Sequence, residues 1–313
     1  MITVSVPGKV HLMGEHAVVY GKPALLAAID LRLSVSIRKN PEGFSIVSEE
    51  PSEYVRYAVE FLTKTYKLQE IPKVTITIRS EIPVGFHLGS SAAVAVGVTG
   101  AFTYFVKKTW NPIAINQLAY EIEKKQHGNP SGGDNTAVTM GGFLWFRKEL
   151  EFLKSMWQLP FKPHASLNHF FLINTGRPKE TTGEMVAMVK LKMQNEKIKM
   201  EQLMNLNEAQ TKRVTVALKD GNESELVDAI RVGEKTLEGM GVVSKKVMPL
   251  MRQIEKVGGA VKILGGGGVL EGVGFLLCYH HEPKKIEMLC KKYNFSLQDI
   301  QLGEEGIRLE KKE

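Results

Sequence analysis

Four stretches of this chain carry residues that packing alone explains poorly. In residues 7–25, Lys9, Glu15 and His16 sit between short apolar runs and turn residues. Charged groups are seldom fully buried without partners, so these three either lie on the surface of a strand–turn–strand unit or take part in chemistry. Spacing alone leaves both readings open. Next, Gly85, Gly89, Ser90 and Ser91 form a loop ahead of a run rich in small residues from Ala92 onward. Such a loop brings unsatisfied backbone N–H groups and the positive end of a helix dipole to one place. Glycine lets a bulky anion approach the backbone, and serine hydroxyls can bond an oxygen or a bound cation. The pattern suits a phosphate cradle, and it equally suits a serine N-cap after a glycine turn.

The third stretch runs from Glu121 to Asn135. Glu121 and Glu123 fall near the end of a predicted helix, where the dipole disfavours acids. A loop of Gly, Asn, Pro and Ser follows, and then Asp134 precedes a new element. Acids so placed can hold a cation or accept a proton, or they can be an incidental solvated pair. The fourth stretch, residues 259–269, joins a strand to a run of glycines from Gly265 to Gly268.

The elements that must position these residues follow from periodicity. Strands are expected at 2–6, 27–38, 43–47, 74–78, 141–147, 169–176 and 273–279. Helices are expected at 52–64, from Ala92 onward, at 113–125, from about 177 to 217, and at 223–239, 247–257 and 283–293. Residues 149–163 read as a connection, and a second domain is expected to begin near His169. Met185, Met188, Met200 and Met204 recur at near-helical spacing, which fits core filling. The alternating charges of residues 190–199 fit a solvated helix face.

The 313 residues suffice for two domains, and 43% hydrophobic with 24% charged residues is a globular composition. The net charge of +7 suits anionic small substrates, and it equally suits a role in solubility alone. Lys and Arg are spread out without interleaved aromatics, so nucleic-acid binding is not expected. Cys278 and Cys290 show no metal-ligand or disulfide pattern and read as buried thiols of a reducing, cytoplasmic compartment. No signal-peptide pattern is present at the start. Residues 88–106 lack charge, but their glycines, serines and threonines fit a buried helix better than a membrane span.

Residues 7–25, with Gly14-Glu-His-Ala-Val-Val-Tyr-Gly21, resemble the first motif of the GHMP kinases, and in particular its mevalonate kinase branch. Pro83–Ala93 resembles the second motif, the ATP-phosphate loop. His127-Gly-Asn-Pro-Ser-Gly-Gly-Asp-Asn135 is similar to the segment that carries the catalytic aspartate, and residues 259–269 resemble the third motif. The third motif departs from the family pattern: Leu264 replaces a threonine, Gly266 an alanine, and Val269-Leu270-Glu271 the later glycines and cysteine. His87 stands where the second motif usually has glycine. Histidine tolerates left-handed backbone angles fairly well, so the loop is expected to keep its shape, with His87 either solvated or touching phosphate.

The resemblance implies an α+β, two-domain GHMP kinase fold with the active site in the interdomain cleft. It implies an ATP-binding domain over residues 1–165 and a ferredoxin-like domain over 166–313, with the last segment free to return to the first domain. The implied activity is ATP- and Mg²⁺-dependent phosphorylation of the C5 hydroxyl of mevalonate, in isoprenoid biosynthesis. Asp134 and Lys9 are implied as catalytic, Lys9 holding Asp134 ionised. Gly85, His87, Leu88, Gly89, Ser90, Ser91 and Ala92 are implied around the ATP phosphates, and Ser91 and Glu123 as Mg²⁺ ligands. Glu15, His16, Thr181 and Gly266 are implied on the acceptor side. The expected partners are ATP and mevalonate, with no nucleic acid and no membrane, and a homodimer is compatible with the sequence. A phosphomevalonate kinase, a kinase for a different mevalonate hydroxyl, a homoserine kinase or a non-catalytic metabolite-binding relative remain as alternatives.

Overall fold

A computed structural model of the chain describes residues 1–49, 52–128, 130–150 and 152–310, with backbone only at 126 and 127. Asn129 of the third stretch therefore lies outside the described residues. The chain forms two compact units. Unit 1 comprises Met1–Lys9, Ala28–Gly142 and Glu304–Glu313, and unit 2 comprises Val10–Ala27 and Phe143–Gly303. Both units are discontinuous in sequence, unlike a single division at 165/166, and each carries strands and helices of an α+β fold.

Unit 1 is built on a sheet ordered β11-β1-β2-β4-β3, with β1 at Ile2–Met13, β2 at Pro23–Lys39, β3 at Ser45–Val47, β4 at Val74–Ser80 and β11 at Arg308–Leu309. The unit boundary falls inside β1 and β2. β1 outruns the expected strand at 2–6: it continues past Pro7 and Gly8, and the Lys9 N–H donates to Leu88 O at 2.9 Å, tying the strand to the glycine loop. Helix α2 (Ser90–Lys107) is the centre of the helical layer, and α1 (Ser52–Thr65), α3 (Pro112–His127) and α4 (Gly133–Met140) all pack on it. α2 holds most of the uncharged stretch 88–106 and is buried along nearly its whole length. No helix among the described residues is long and apolar enough to cross a membrane.

Small residues let α2 lie close on the strands. A Cβ on Gly97 would sit 2.7 Å from Val35 Cγ2 and 3.3 Å from Val6 Cγ2, inside van der Waals contact on stiff, β-branched neighbours.

Unit 2 contains the Pro23–Ala27 end of β2, which pairs with β5 (Phe143–Lys148), which in turn pairs with β6 (Lys154–Leu159). The range 149–163 thus contains the second strand of a hairpin rather than a plain connection. That strand is an edge whose side chains are exposed or half-buried throughout, so it carries no hydrophobic alternation to read. A separate antiparallel sheet runs β10-β7-β9-β8, from Ser296–Ile300, Phe170–Asn174, Phe275–Tyr279 and Ala260–Ile263. β10 is again a largely exposed edge, missed for the same reason.

The helical region after residue 177 is two helices, α5 (Thr182–Asn195) and α6 (Lys197–Asp220), broken at Glu196, whose φ is −128°. α7 (Glu223–Met240), α8 (Met248–Lys256) and α9 (Pro283–Tyr293) complete the unit. Met185, Met200 and Met204 lie in its apolar core and Met188 packs against it, with Cys278 and Cys290 buried among them as free thiols.

In an exposed helix, Gly→Ala gains about 1 kcal/mol. At position 97 the added methyl would have to displace Val35, and overpacking costs roughly 1–3 kcal/mol. Gly97→Ala should therefore lower the unfolding free energy in urea. A neutral or stabilising result would show that α2 does not sit on the strands as described.

Candidate active site

Two clusters of polar side chains gather the residues singled out above, one in each unit. In unit 1 the loop before α2 winds through three left-handed positions: Gly85 at φ 82°, His87 at 62° and Gly89 at 83°. His87 thus adopts the backbone angle that its substitution for glycine requires. Gly89 is the N-cap of α2 and has no side chain to cap it, so Ser90, Ser91 and Ala92 form the leading turn of the helix. Glycine is also required here for space, since a Cβ on Gly89 would lie 2.9 Å from Lys9 Cγ. Leu88 is buried and anchors the loop to β1 through its carbonyl.

Lys9 is 2% exposed, which rules out the surface reading of that residue. Its ammonium pairs with Asp134 Oδ2 at 3.0 Å, and the Asp134 side chain remains 43% exposed. Asp134 occupies the first turn of α4, after the N-cap Gly132. That turn is fixed to α3 by an amide network. Asn135 Nδ2 donates to Asn116 Oδ1 (2.6 Å), and Asn116 Nδ2 donates to Thr136 Oγ1 (3.0 Å).

The two acids of α3 have different fates. Glu121 forms an exposed i,i+3 pair with Lys124, the solvated arrangement expected of a surface acid. Glu123 is 4% exposed. The hydroxyls of Ser91 (2.7 Å) and Tyr54 (2.5 Å) both donate to its Oε1. Burial first, and then the Glu123 carboxylate, push the Tyr54 phenol well above its ordinary range, so it stays a donor. Ser91 and Glu123 thus present a hydroxyl and a carboxylate together, an all-oxygen set that fits a hard cation. Among the described residues no group of three or more His, Cys, Asp or Glu is placed to hold a metal. One carboxylate beside a hydroxyl fits Mg²⁺, which commonly binds one or two carboxylates and completes its shell with phosphate and water.

In unit 2, Glu15 and His16 are both buried. The His16 backbone takes φ 59°, after Gly14 at φ 107°. The His16 Nε2–H donates to Gly266 O at 3.0 Å, which places the proton on that nitrogen because a carbonyl only accepts. Burial lowers the His16 pKa against the opposing pull of this bond and of Glu15, so its ring is neutral at pH 7. Gly266 also lies against Thr182, with a would-be Cβ 3.3 Å from Thr182 Cα. Neighbouring Thr181 is exposed and caps α5. Its Oγ1 accepts from the Glu184 N–H (3.2 Å) and donates to Glu184 Oε2 (2.9 Å), while the Thr181 N–H also bonds that carboxylate (2.7 Å). This capping box is a local reason for a threonine at that position.

Three residues of these clusters were not singled out by sequence. Tyr54 is an aromatic residue of α1, a type that reads as packing. Lys262 is fully buried on β8, and its ammonium donates to Glu15 Oε1, to Ile263 O (2.6 Å) and to His11 O (3.2 Å). Glu234 of α7 is also fully buried, with Oε2 accepting from the Ile263 N–H at 3.0 Å. Only the Lys-x-Leu spacing before the glycine run could have drawn attention to Lys262. Glu234 carries no local signal.

Residues 53–142 match the family model described as GHMP kinases N terminal domain. A mevalonate kinase of Archaeoglobus fulgidus is 34% identical over 84% of this chain and 88% of its own length. The chain belongs to the GHMP kinase family. Two solved structures share the fold of this family member: a mevalonate kinase (22% identity, TM-score 0.83, covering 97% of this chain and all of that one), and the L. major mevalonate kinase in complex with R-mevalonate (18%, 0.82, 96% of each). Homology to mevalonate kinases makes this GHMP kinase a phosphotransferase of mevalonate-kinase-like type.

Glu234 tests the electrostatics of unit 2. Desolvation raises its pKa well above the ordinary value, although Lys262 pulls the other way. An unfolded glutamate titrates near about 4.3. Between that value and the raised one the native state holds a proton that the unfolded chain releases, so this group's contribution to stability falls as pH rises. Glu234→Gln copies the neutral acid and removes that loss. The variant should gain stability relative to the parent as urea unfolding is moved from about pH 5 to about pH 8. Parallel pH curves for the two proteins would refute a protonated Glu234.

Proposed function

We propose that this GHMP kinase transfers the γ-phosphoryl group of ATP to the C5 hydroxyl of mevalonate, giving 5-phosphomevalonate. The observation that carries the reading is the Lys9–Asp134 ion pair beside the Gly89–Ser91 helix start, in a chain homologous to mevalonate kinases. Phosphoryl transfer asks a protein chiefly for positioning and charge stabilisation. In this reading the amides of the Gly85–Ala92 loop and helix start hold the ATP phosphates, as a helix N-terminus holds anions. His87 lies on the same loop. Ser91 and Glu123 hold Mg²⁺, which neutralises charge on the phosphates. Tyr54 keeps the Glu123 carboxylate in place through its hydroxyl.

Asp134 accepts the proton of the acceptor hydroxyl as the bond to phosphorus forms. Its side chain is half-exposed, Lys9 pairs with Oδ2, and the Asn116–Asn135 network fixes the turn that carries it. Lys9 contributes a buried positive charge beside the transferring group. Glu15 and His16 orient the acceptor, with His16 held as a neutral ring by the Gly266 carbonyl. Thr181 and Gly266 complete the acceptor side, Thr181 from the α5 cap and Gly266 from the glycine run.

ADP release in the presence of ATP and Mg²⁺, measured with mevalonate, phosphomevalonate, homoserine and galactose, tests the acceptor. Mevalonate should give the highest kcat/KM, and a higher value for another compound would replace it. In the same assay Asp134→Asn should lower kcat by about 10²-fold or more with nucleotide binding nearly unchanged. A folded variant within a few-fold of the parent would remove Asp134 as the base.

Glu123→Gln tests the cation separately. Deleting one charged oxygen should raise the Mg²⁺ concentration for half-maximal rate, and should weaken Mg²⁺-dependent ATP binding measured by calorimetry in the absence of acceptor. Identical Mg²⁺ titrations for variant and parent would exclude Glu123 as a ligand.

A further inference from the structure

The Lys262 ammonium has three N–H donors and three acceptors: the Glu15 carboxylate, Ile263 O and His11 O. It therefore has no donor left for a small molecule. Glu15 is the opposite case. Its Oε1 is taken by Lys262, while Oε2 is buried with no hydrogen-bond partner among the described residues. A buried carboxylate oxygen without a donor is costly, and a ligand hydroxyl that donates to it relieves the cost. Next to this pair, β8 is pinned on both sides of Ile263, whose N–H goes to Glu234 and whose carbonyl goes to Lys262. The lysine is thus held by the strand rather than by solvent.

We propose that Lys262 is a positioning residue for Glu15: it grips one carboxylate oxygen so that the other, Oε2, accepts a hydroxyl of the phosphoryl acceptor. The assignment rests on the reading above that Glu15 meets the acceptor, and adds the residue that aims it. Lys262 acts only through Glu15 and touches no substrate. If the pair served stability alone, apolar residues of similar volume would do as well, and neither variant would bear selectively on the acceptor.

The test is a double-substitution cycle in the full-length protein with Lys262→Met, Glu15→Gln and the two combined, reading KM for acceptor, KM for ATP and kcat. Each single change should raise the acceptor KM by roughly 10-fold or more with the ATP KM within about 2-fold of the parent. The combined variant should match Glu15→Gln alone within about 2-fold, because a positioning residue has nothing left to position once its partner is disabled. Losses that multiply in the combined variant, or a Lys262→Met acceptor KM equal to the parent's, overturn the proposal. Lys262→Met strands the charge of Glu15, whereas the combined variant is neutral at both positions. The comparison of Glu15→Gln with the combined variant therefore decides the question even where the single lysine variant does not fold. Urea unfolding adds a readout without turnover: Glu15→Gln should restore stability lost in Lys262→Met, and a failure to do so also overturns the proposal. An unchanged acceptor KM in Glu15→Gln removes Glu15 from the acceptor side and takes the proposal with it. A parent that prefers another acceptor refutes only the choice of mevalonate, and the same cycle is then read with the preferred compound.

Discussion

An ammonium group removed from water must be met by an anion or by a full set of acceptors. Lys9 is buried, and its anion is Asp134, 125 positions later by their residue numbers. Much of unit 1 serves that meeting. β1 carries the lysine inward, Gly89 leaves room over its side chain, and the α3–α4 amide network presents the aspartate at the start of a helix. Unit 2 repeats the logic with Lys262, whose charge is answered by Glu15 and by two backbone carbonyls. In unit 2 the Glu15 carboxylate keeps one oxygen that the lysine does not take, and in unit 1 the Asp134 side chain stays half-exposed beside its lysine.

Local features were readable in the sequence, and the reasons are physical. The phosphate-loop candidate could be placed because glycine at left-handed angles, helix-starting serines and small residues act within one turn of chain. Lys9, Glu15 and His16 could be flagged because their charge and polarity clash with an apolar setting, but not resolved, because their partners lie far away in sequence. Lys262 alternates with apolar neighbours like any strand residue, and Glu234 sits among polar helical neighbours like any surface acid. Nothing local distinguishes such residues from solvated ones. The ring of Tyr54 passes for a packing residue of α1, yet the useful part of that side chain is the hydroxyl at its tip. Thr181 shows the converse: a residue marked by resemblance also satisfies a local rule, that of a capping box.

The strands that escaped detection share one property. β6, β10 and β11 lie at sheet edges or are very short, with side chains mostly exposed or half-buried. Period-two hydrophobicity records burial on one face, so an edge strand held mainly by backbone hydrogen bonds leaves little trace in residue types. The break between α5 and α6 escaped for a related reason: charged residues on both sides of Glu196 continue the solvated pattern across it.

The return of the chain to unit 1 has a consequence for synthesis. β1 is made long before its outer neighbour β11, with which it pairs Val4 to Leu309 and Ser5 to Arg308. Arg32 of β2 likewise bonds the carbonyls of Glu305 (2.8 Å) and Gly306 (2.8 Å). Between these partners the ribosome must produce residues 143–303, which belong to unit 2. At about 5–20 residues per second, β1 waits for its edge partner for roughly 15–60 seconds with a row of backbone groups unpaired. Unit 2 has every one of its residues before unit 1 does, so the order of completion is the reverse of the order in which the two units begin.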